Sequence, residues 1–236
     1  MDIDRIRHQF PGRSIDYFRT VDSTMRTAAG RPAGYVAIAE EQTGGQGRHG
    51  HGWYSEPGSG IYCSMVLEPT PVLTLALGIA VADAIARAAG VACDLRWPND
   101  LMLDGKKAGG ILVQVSGPVA IAGIGINVNH DWFPAELSNV ATSLKIHSGR
   151  PACATDILIE LLHSVDRFAG RDKDSVLRMF ARASSYASGR RVKVDQPDGV
   201  VEGTTAGLDQ AGFLIVRKDD GTDTLIVAGG VRAAGS

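Results

Sequence analysis

Apolar residues recur at helical spacing from Leu73 to Ala89, with Thr70-Pro71 before the run and Gly90 after it. Thr70 can cap, Pro71 suits the first helical position and Gly90 suits a left-handed stop, so the pattern predicts one long packed helix. Two more helical stripes follow at residues 155–169 and 174–187. β-patterned runs occupy 35–40, 61–67, 94–97, 110–115 and 119–128. Strands and helices mix without strict alternation, which predicts an α/β (α+β) fold on a mixed sheet rather than a doubly wound one. After Ser188 the texture changes. Short β segments at 191–194, 200–205, 213–217 and 224–227 are separated by Asp198-Gly199, by 209–212 and by Asp220-Gly221, all turn chemistry. They predict a small SH3-like β-barrel, and hence two domains, 1–187 and 188–236.

The chain has 236 residues, 44% of them hydrophobic and 21% charged. A chain of that length buries roughly 70–75% of the surface its unfolded form exposes and needs no staples to fold. With 24 basic against 26 acidic residues the net charge is −2, which argues against a protein that coats nucleic acid or anionic lipid. The N-terminal segment MDIDRIRHQF lacks the apolar core of a signal peptide, and Asp83 and Arg87 break the most hydrophobic window. Three cysteines, an odd number without CxxC spacing, read as reduced core thiols. The expectation is a soluble cytoplasmic protein.

Seven of the 29 glycines fall between residues 44 and 60. Glycines at 44, 45, 47, 50 and 52 permit positive φ, so that consecutive N–H groups can converge on an anion. Arg48, His49 and His51 add donors, and Trp53 offers a stacking face. A flexible connector usually carries Ser and none of these side chains. The loop is neither a Walker loop nor a GxGxxG that opens a helix. His49 and His51 could bind a metal, but spacing places no third ligand.

Three further stretches carry chemistry. In Arg96-Trp97-Pro98-Asn99-Asp100, Pro98 makes a strand end turn into a loop, where Asn99 and Asp100 could serve a turn or a site. Asp104-Gly105 signals a hairpin whose returning strand presents Lys106 and Lys107 on opposite faces. If one faces inward it needs an anionic partner. In 21–26, Asp22 or Ser23 could simply cap a helix. Finally, the run 121–129 is a buried strand of small residues that ends in Asn127 and Asn129, and such ends are where α/β sites gather.

In combination and in order, these stretches resemble biotin protein ligases. The family pattern Ser-Thr-Asn matches Ser23-Thr24-Met25. Gln-x-x-Gly-Arg-Gly-Arg-Arg-Gly-Arg-x-Trp matches Gln42 to Trp53, and Lys-Trp-Pro-Asn-Asp matches Arg96 to Asp100. Lys-x-x-Gly-Ile-Leu matches Lys107 to Leu112, Gly-Ile-Asn-x-Asn matches Gly125 to Asn129, and 141–144 also looks like the family. The resemblance covers the chain from Asp22 to its last domain. It implies a catalytic domain of the class II aminoacyl-tRNA synthetase/biotin ligase kind and a reaction in which biotin and ATP give biotinyl-5′-AMP before the acyl group passes to an acceptor lysine.

By the same resemblance, Ser23, Thr24, Gln42, Gln46, Gly47, Arg48, Lys107 and Gly110 would bind biotin. Arg48, Trp53, Asn99 and Asn127 would bind the nucleotide. Arg48, Lys107 and Asp100 would act in catalysis, Asp100 by orienting or deprotonating the acceptor lysine. Mg²⁺ is expected with ATP, without identified ligands. The implied partner is a biotin carboxyl carrier domain of a carboxylase, with no DNA and no membrane, and the resemblance allows for a homodimer. Only 21 residues precede Asp22, too few for the helix-turn-helix that some relatives carry. A non-catalytic biotin- or adenylate-binding module and a lipoate or octanoate transferase are the alternatives. The departures concern charge: Gln46, His49 and His51 stand where relatives have arginines, Met25 replaces Asn and Arg96 replaces Lys. Protonated imidazole could restore some positive charge, which predicts pH-sensitive activity between about pH 6 and 8.

Overall fold

The computed structural model describes residues 1–196 and 199–234. A short helix α1 (Ile3–Gln9) leads into β1 (Ile15–Val21), α2 (Thr24–Ala28) and β2 (Val36–Gln42). After the Gly-rich loop come β3 (Gly60–Leu67), α3 (Leu73–Ala89), β4 (Asp94–Arg96), β5 (Asp100–Leu103), β6 (Lys106–Ser116) and β7 (Val119–Asn127). The seven strands form one mixed sheet in the order β1-β2-β3-β7-β6-β5-β4, with β1 and β2 parallel and the other neighbours antiparallel.

Period-2 alternation gives this sheet two unlike faces. On β7, Ala120, Ala122, Ile124 and Ile126 join the large core beneath α3, α5 (Ala154–Phe168) and α6 (Lys173–Ala183), which follow the short α4 (Leu144–Ser148). The intervening Ile121 belongs to a smaller cluster with Met25, Ala28, Tyr35, Ala37 and Val66. Gly123 and Gly125 share that second face, and there the site lies.

The remaining strands are β8 (Ser188–Gln196), β9 (Gly199–Leu208), β10 (Leu214–Arg217), β11 (Asp223–Ile226) and β12 (Gly230–Ala233). They form a five-stranded antiparallel sheet in the order β11-β10-β9-β8-β12. Of the turn read at Asp198-Gly199, Asp198 lies outside the described residues. The indole N–H of Trp97 donates to the Gly212 carbonyl at 2.9 Å and ties this unit to the large sheet.

Several boundaries differ from the sequence reading for local reasons. α3 stops at Gly90 in the left-handed region as expected (φ 68°), but it begins at Leu73 with Val72 in the cap position. Thr70 contributes its carbonyl to Leu73 N–H rather than its hydroxyl, and Pro71 lies before the helix. α6 ends four residues before the expected 187. Ser184 donates its hydroxyl to the Leu95 carbonyl at 2.5 Å and Ser185 bonds the Asp94 carboxylate, so the backbone there is bound to β4. β1, β12 and the short helices α1 and α4 had no expected counterpart, whereas the Asp104-Gly105 hairpin implied β5 and the cap candidates Asp22 and Ser23 implied α2.

Candidate active site

A cavity of about 560 Å³ opens on the glycine-bearing face of the large sheet. It runs from β2 across β3, β7 and β6 to β5, and neighbouring strands lie about 4.8 Å apart, so its two ends are well separated. The ends differ in chemistry.

At the β2 end the hydrogen-bonding side chains are uncharged. Gln42 Oε1 accepts from the Thr24 N–H at 2.9 Å and the Thr24 hydroxyl at 3.0 Å, while its Nε2 donates to Ser55 Oγ at 3.1 Å. The Thr24 and Ser64 hydroxyls are 2.8 Å apart. With Thr24 donating to Gln42, Ser64 must donate to Thr24, which fixes the direction of the chain. Ser23 stands at the cap position of α2 without capping it. Its hydroxyl is buried (1% exposed) and finds no hydrogen-bond partner among the described residues. An unmet buried hydroxyl costs about 1–3 kcal/mol, so this atom is fitted to a hydrogen-bonding ligand.

The floor is paved by glycine. Gly110 on β6 pairs with Gly125 on β7, and Gly123 lies two residues along on the same face. The flatness is used: a Cβ on Gly125 would come within 2.4 Å of the Trp53 indole, and one on Gly123 within 2.8 Å of the Met25 side chain. Met25, which replaces the family's Asn, thus packs on the floor as an apolar wall. Trp53 lies over the floor with its indole nitrogen buried and unpartnered among the described residues.

The β5 end is cationic. Lys107 Nζ lies 2.5 Å from Asp100 Oδ1 and 5.4 Å from the Trp53 ring centre. Lys106, on the opposite face, donates to the Ser138 carbonyl, so the alternation expected for the two lysines holds and Lys107 is the one in the cavity. The backbone of Lys107 is gripped by 140–142: its N–H donates to Val140, and its carbonyl accepts from Thr142. Asp100 is shared with Arg96, whose Nη2 is 2.6 Å from Oδ2. Burial pushes the Asp100 carboxyl up, but Lys107 and Arg96 outweigh burial and hold it below the ordinary carboxylate value. It is an ionised and weakly basic group.

Arg48 reaches the same end from the loop. Among the described residues it has no carboxylate in contact: Nη1 donates to Asn99 Oδ1 at 3.0 Å and to the Gly229 carbonyl at 3.4 Å. Burial lowers its pKa, partly offset by Asp100. Asn99 is fixed in turn by donating to the Ile111 carbonyl at 2.9 Å, so in this state its amide positions Arg48. The contact with Gly229, beside Gln196 and Gly230 in the cavity wall, shows that the C-terminal sheet closes one side of the site.

The loop itself is ordered by its own backbone. Gly47 N–H donates to His51 O at 2.7 Å, Trp53 N–H to Gly45 O at 2.9 Å, and Gly44 N–H to Asp22 O at 2.7 Å. These amides are therefore not free to face an anion in this conformation, unlike the cradle read from the glycine spacing. Positive φ falls at His49 (57°) and Gly50 (77°), where the hairpin turns. His49 and His51 are exposed at the cavity wall, and the described residues contain no group of three or more His, Cys, Asp or Glu that could hold a metal.

Of the residues singled out in the sequence, Ser23, Thr24, Gln42, Gln46, Gly47, Arg48, Trp53, Asn99, Asp100, Lys107 and Gly110 all line this one cavity. Asn127 stands apart. It is 4% exposed and donates to the Thr142 carbonyl at 3.0 Å and the Lys107 carbonyl at 3.5 Å, so it locks the segment that grips Lys107. Sequence reasoning missed Ser55 and Ser64, which orient Gln42 and Thr24, and it gave no role to the floor residues Gly123 and Gly125, although Gly125 opens one of the matched motifs. The spacing Gly-x-Gly within a strand was a usable signal for the latter pair.

A family model described as the biotin/lipoate A/B protein ligase family matches residues 14–131, and one described as the biotin protein ligase C terminal domain matches 187–231. The chain is 35% identical over 225 residues to the biotin--[acetyl-CoA-carboxylase] ligase of Mycobacterium tuberculosis, covering 89% of this chain and 82% of that one. It is 31% identical over 240 residues to the bifunctional ligase/repressor BirA of Bacillus subtilis, covering 92% and 73%. Among solved structures, the biotin protein ligase of Aquifex aeolicus in complex with biotin and ATP superposes with a TM-score of 0.84 at 27% identity, over 94% of this chain and 99% of that one.

Proposed function

The chain belongs to the biotin/lipoate A/B protein ligase family, and from that premise we propose that it is an ATP-dependent biotin ligase, joining biotin to an acceptor lysine through biotinyl-5′-AMP. The observation that carries this reading is the polarity of the cavity, which ends in a Ser23 hydroxyl, unpartnered among the described residues, beside Gln42 and Thr24 at one side and in Lys107 and Arg48 at the other. Biotin has a matching order: a hydrogen-bonding ureido ring, an apolar chain and a carboxylate. The ring meets the neutral polar end, the chain crosses the glycine floor against Trp53, and the carboxylate reaches the cations. A lipoyl ring has nothing to offer the Ser23 hydroxyl, and a site built for such a bond discriminates strongly against an analogue without it.

Attack of the biotin carboxylate on the α-phosphorus forms a C–O–P bond and expels pyrophosphate. It brings two anions together, so the protein's task is to supply positive charge and to exclude water. Lys107 bridges the carboxylate and the α-phosphate, and Arg48 on the loop covers them. Mg²⁺ would accompany the nucleotide's phosphates; among the described residues no group of three or more His, Cys, Asp or Glu is placed to hold it. In the second step the acceptor amine attacks the acyl carbon and AMP leaves. Asp100, whose carboxyl Lys107 and Arg96 hold low in the free protein, orients that amine by charge, and the proton released as the amide bond forms passes to the departing AMP phosphate or to water.

The same proposal assigns catalysis to 1–187 and closure of the site to 188–236. The acceptor is a carrier domain of a biotin-dependent carboxylase. No helix among the described residues is long and apolar enough to cross a membrane. The net charge of −2 suits a protein with no DNA partner, and the proposal takes it to be cytoplasmic, alone or as a homodimer. Incubation with biotin, ATP, Mg²⁺ and a carrier domain should add one biotinyl group by intact mass. Addition of lipoate instead, or no addition at all, would contradict the proposal.

A further inference from the structure

Asp100 opens β5 directly opposite Arg96, which closes β4. Its carboxylate is divided between two cations. Oδ2 accepts from Arg96 Nε at 3.1 Å and Nη2 at 2.6 Å, while Oδ1 faces Lys107 Nζ at 2.5 Å. The Asp100 side chain is 14% exposed and that of Arg96 20%, whereas Lys107, at 31%, is the most open of the three. In the proposed reaction Lys107 must turn to the biotin carboxylate and the α-phosphate. A buried carboxylate deserted by its sole cation is strongly unfavourable. With Lys107 as the only partner of Asp100, ion pair and substrate would compete for one ammonium.

We infer that Arg96 is a positioning residue for the first half-reaction: by holding Asp100 Oδ2 it lets Lys107 leave Oδ1 for the anionic reactants without stranding a buried charge. The inference rests on the ligase reading given above. The guanidinium suits the task because its fork places two donors on one oxygen and leaves the other for Lys107. In a loop where Gln46, His49 and His51 stand in place of arginines, each remaining cation counts for more, and a Lys107 held back by Asp100 would be a larger loss.

Biotin-dependent ATP–pyrophosphate exchange reports adenylate formation alone and is the assay of choice. Arg96→Met should slow exchange by about tenfold, the scale of a charge-assisted bond. Asp100→Asn removes the carboxylate that retains Lys107, so Arg96→Met added to it should change exchange by less than about twofold. A merely structural role for Arg96 predicts the same loss in both backgrounds.

The pH profile gives a second readout. Arg96, Lys107 and Arg48 face Asp100, and His49, His51 and Asp195 line the same cavity. Without Arg96 the Asp100 carboxyl titrates higher, so falling pH neutralises it and frees Lys107. The ratio of variant to parent exchange should therefore rise as pH falls from about 7 to 5, and taking the ratio cancels titration common to both proteins. Arg96→Lys should restore most of the rate, and Arg96→Gln carries the test if the Met variant melts early. An Arg96→Met variant as fast as the parent, or equally impaired with and without Asp100→Asn, would overturn the inference alone. Absence of biotin-dependent exchange in the parent would overturn the ligase reading and the inference with it.

Discussion

The two walls of the cavity are built on opposite plans. The wall on β4–β7 is a set of paired strands whose charges are already compensated: Asp100 is shared by Arg96 and Lys107, and Lys107 is gripped by 140–142. The wall on residues 42–53 is a hairpin held by a few backbone bonds, and it carries an arginine that meets only neutral acceptors among the described residues. The difference separates two tasks. A paired, half-buried lysine is preorganised where the reaction begins, whereas an arginine desolvated beside neutral acceptors gains most when an anion arrives beneath it. The rigid wall should therefore govern bond making, and the loop should govern retention of what has been made.

Removing the preorganised cation should have the largest effect. Lys107→Met leaves Asp100 paired with Arg96, so the fold survives, while pyrophosphate exchange should fall by about 10²–10³-fold, the scale for one donor lost from a charge-stabilising site. A loss under threefold would break the division between the walls. Arg48→Gly should slow adenylation by about tenfold and, more tellingly, let biotinyl-AMP accumulate free in solution, measurable by filtration and mass spectrometry. A variant that retains the intermediate as tightly as the parent would place retention elsewhere.

Gly125→Ala tests how the walls meet, because its Cβ would reach within 2.4 Å of Trp53. Overpacking of this kind costs about 1–3 kcal/mol, so a lower Tm and weaker biotin binding are expected together. An unchanged melting curve and affinity would mean that Trp53 yields freely. The smallest effect concerns His49 and His51, which are exposed. A His49→Gln/His51→Gln variant should change pyrophosphate exchange by less than about threefold, as for exposed side chains without a buried partner. A larger loss would give the tip of the loop a share of the work assigned to Arg48.

Much of this contrast was legible in the residues themselves. The Asp104-Gly105 turn fixes the alternation that sends Lys106 and Lys107 to opposite faces, and Asp100 is the anion a buried lysine calls for. The long helix was legible from its period and from Gly90. What escaped was what depends on distant partners. β1 carries a mixed polar face and is set by parallel pairing with β2, and β12 is four residues that find their register on β8. The end of α6 is decided by β4, through Ser184 and Ser185, against its own helical period. Asn127 ends a buried strand as a site residue would, yet its amide is spent on the backbone around Lys107, in a loop whose return no local pattern announces. The glycine-rich loop advertised anion binding, but its resting hairpin uses several of the amides that composition had left free.

Hydrogen exchange on the two walls, with and without biotin and ATP, tests the central claim most directly. Amides of 45–53 should exchange quickly in the free protein and slow markedly when both ligands are present. Amides of the β6–β7 pairing should be protected throughout and change little. A loop already protected in the free protein, or one that stays fast with both ligands bound, would contradict the account of a preorganised wall closed by an adaptable one.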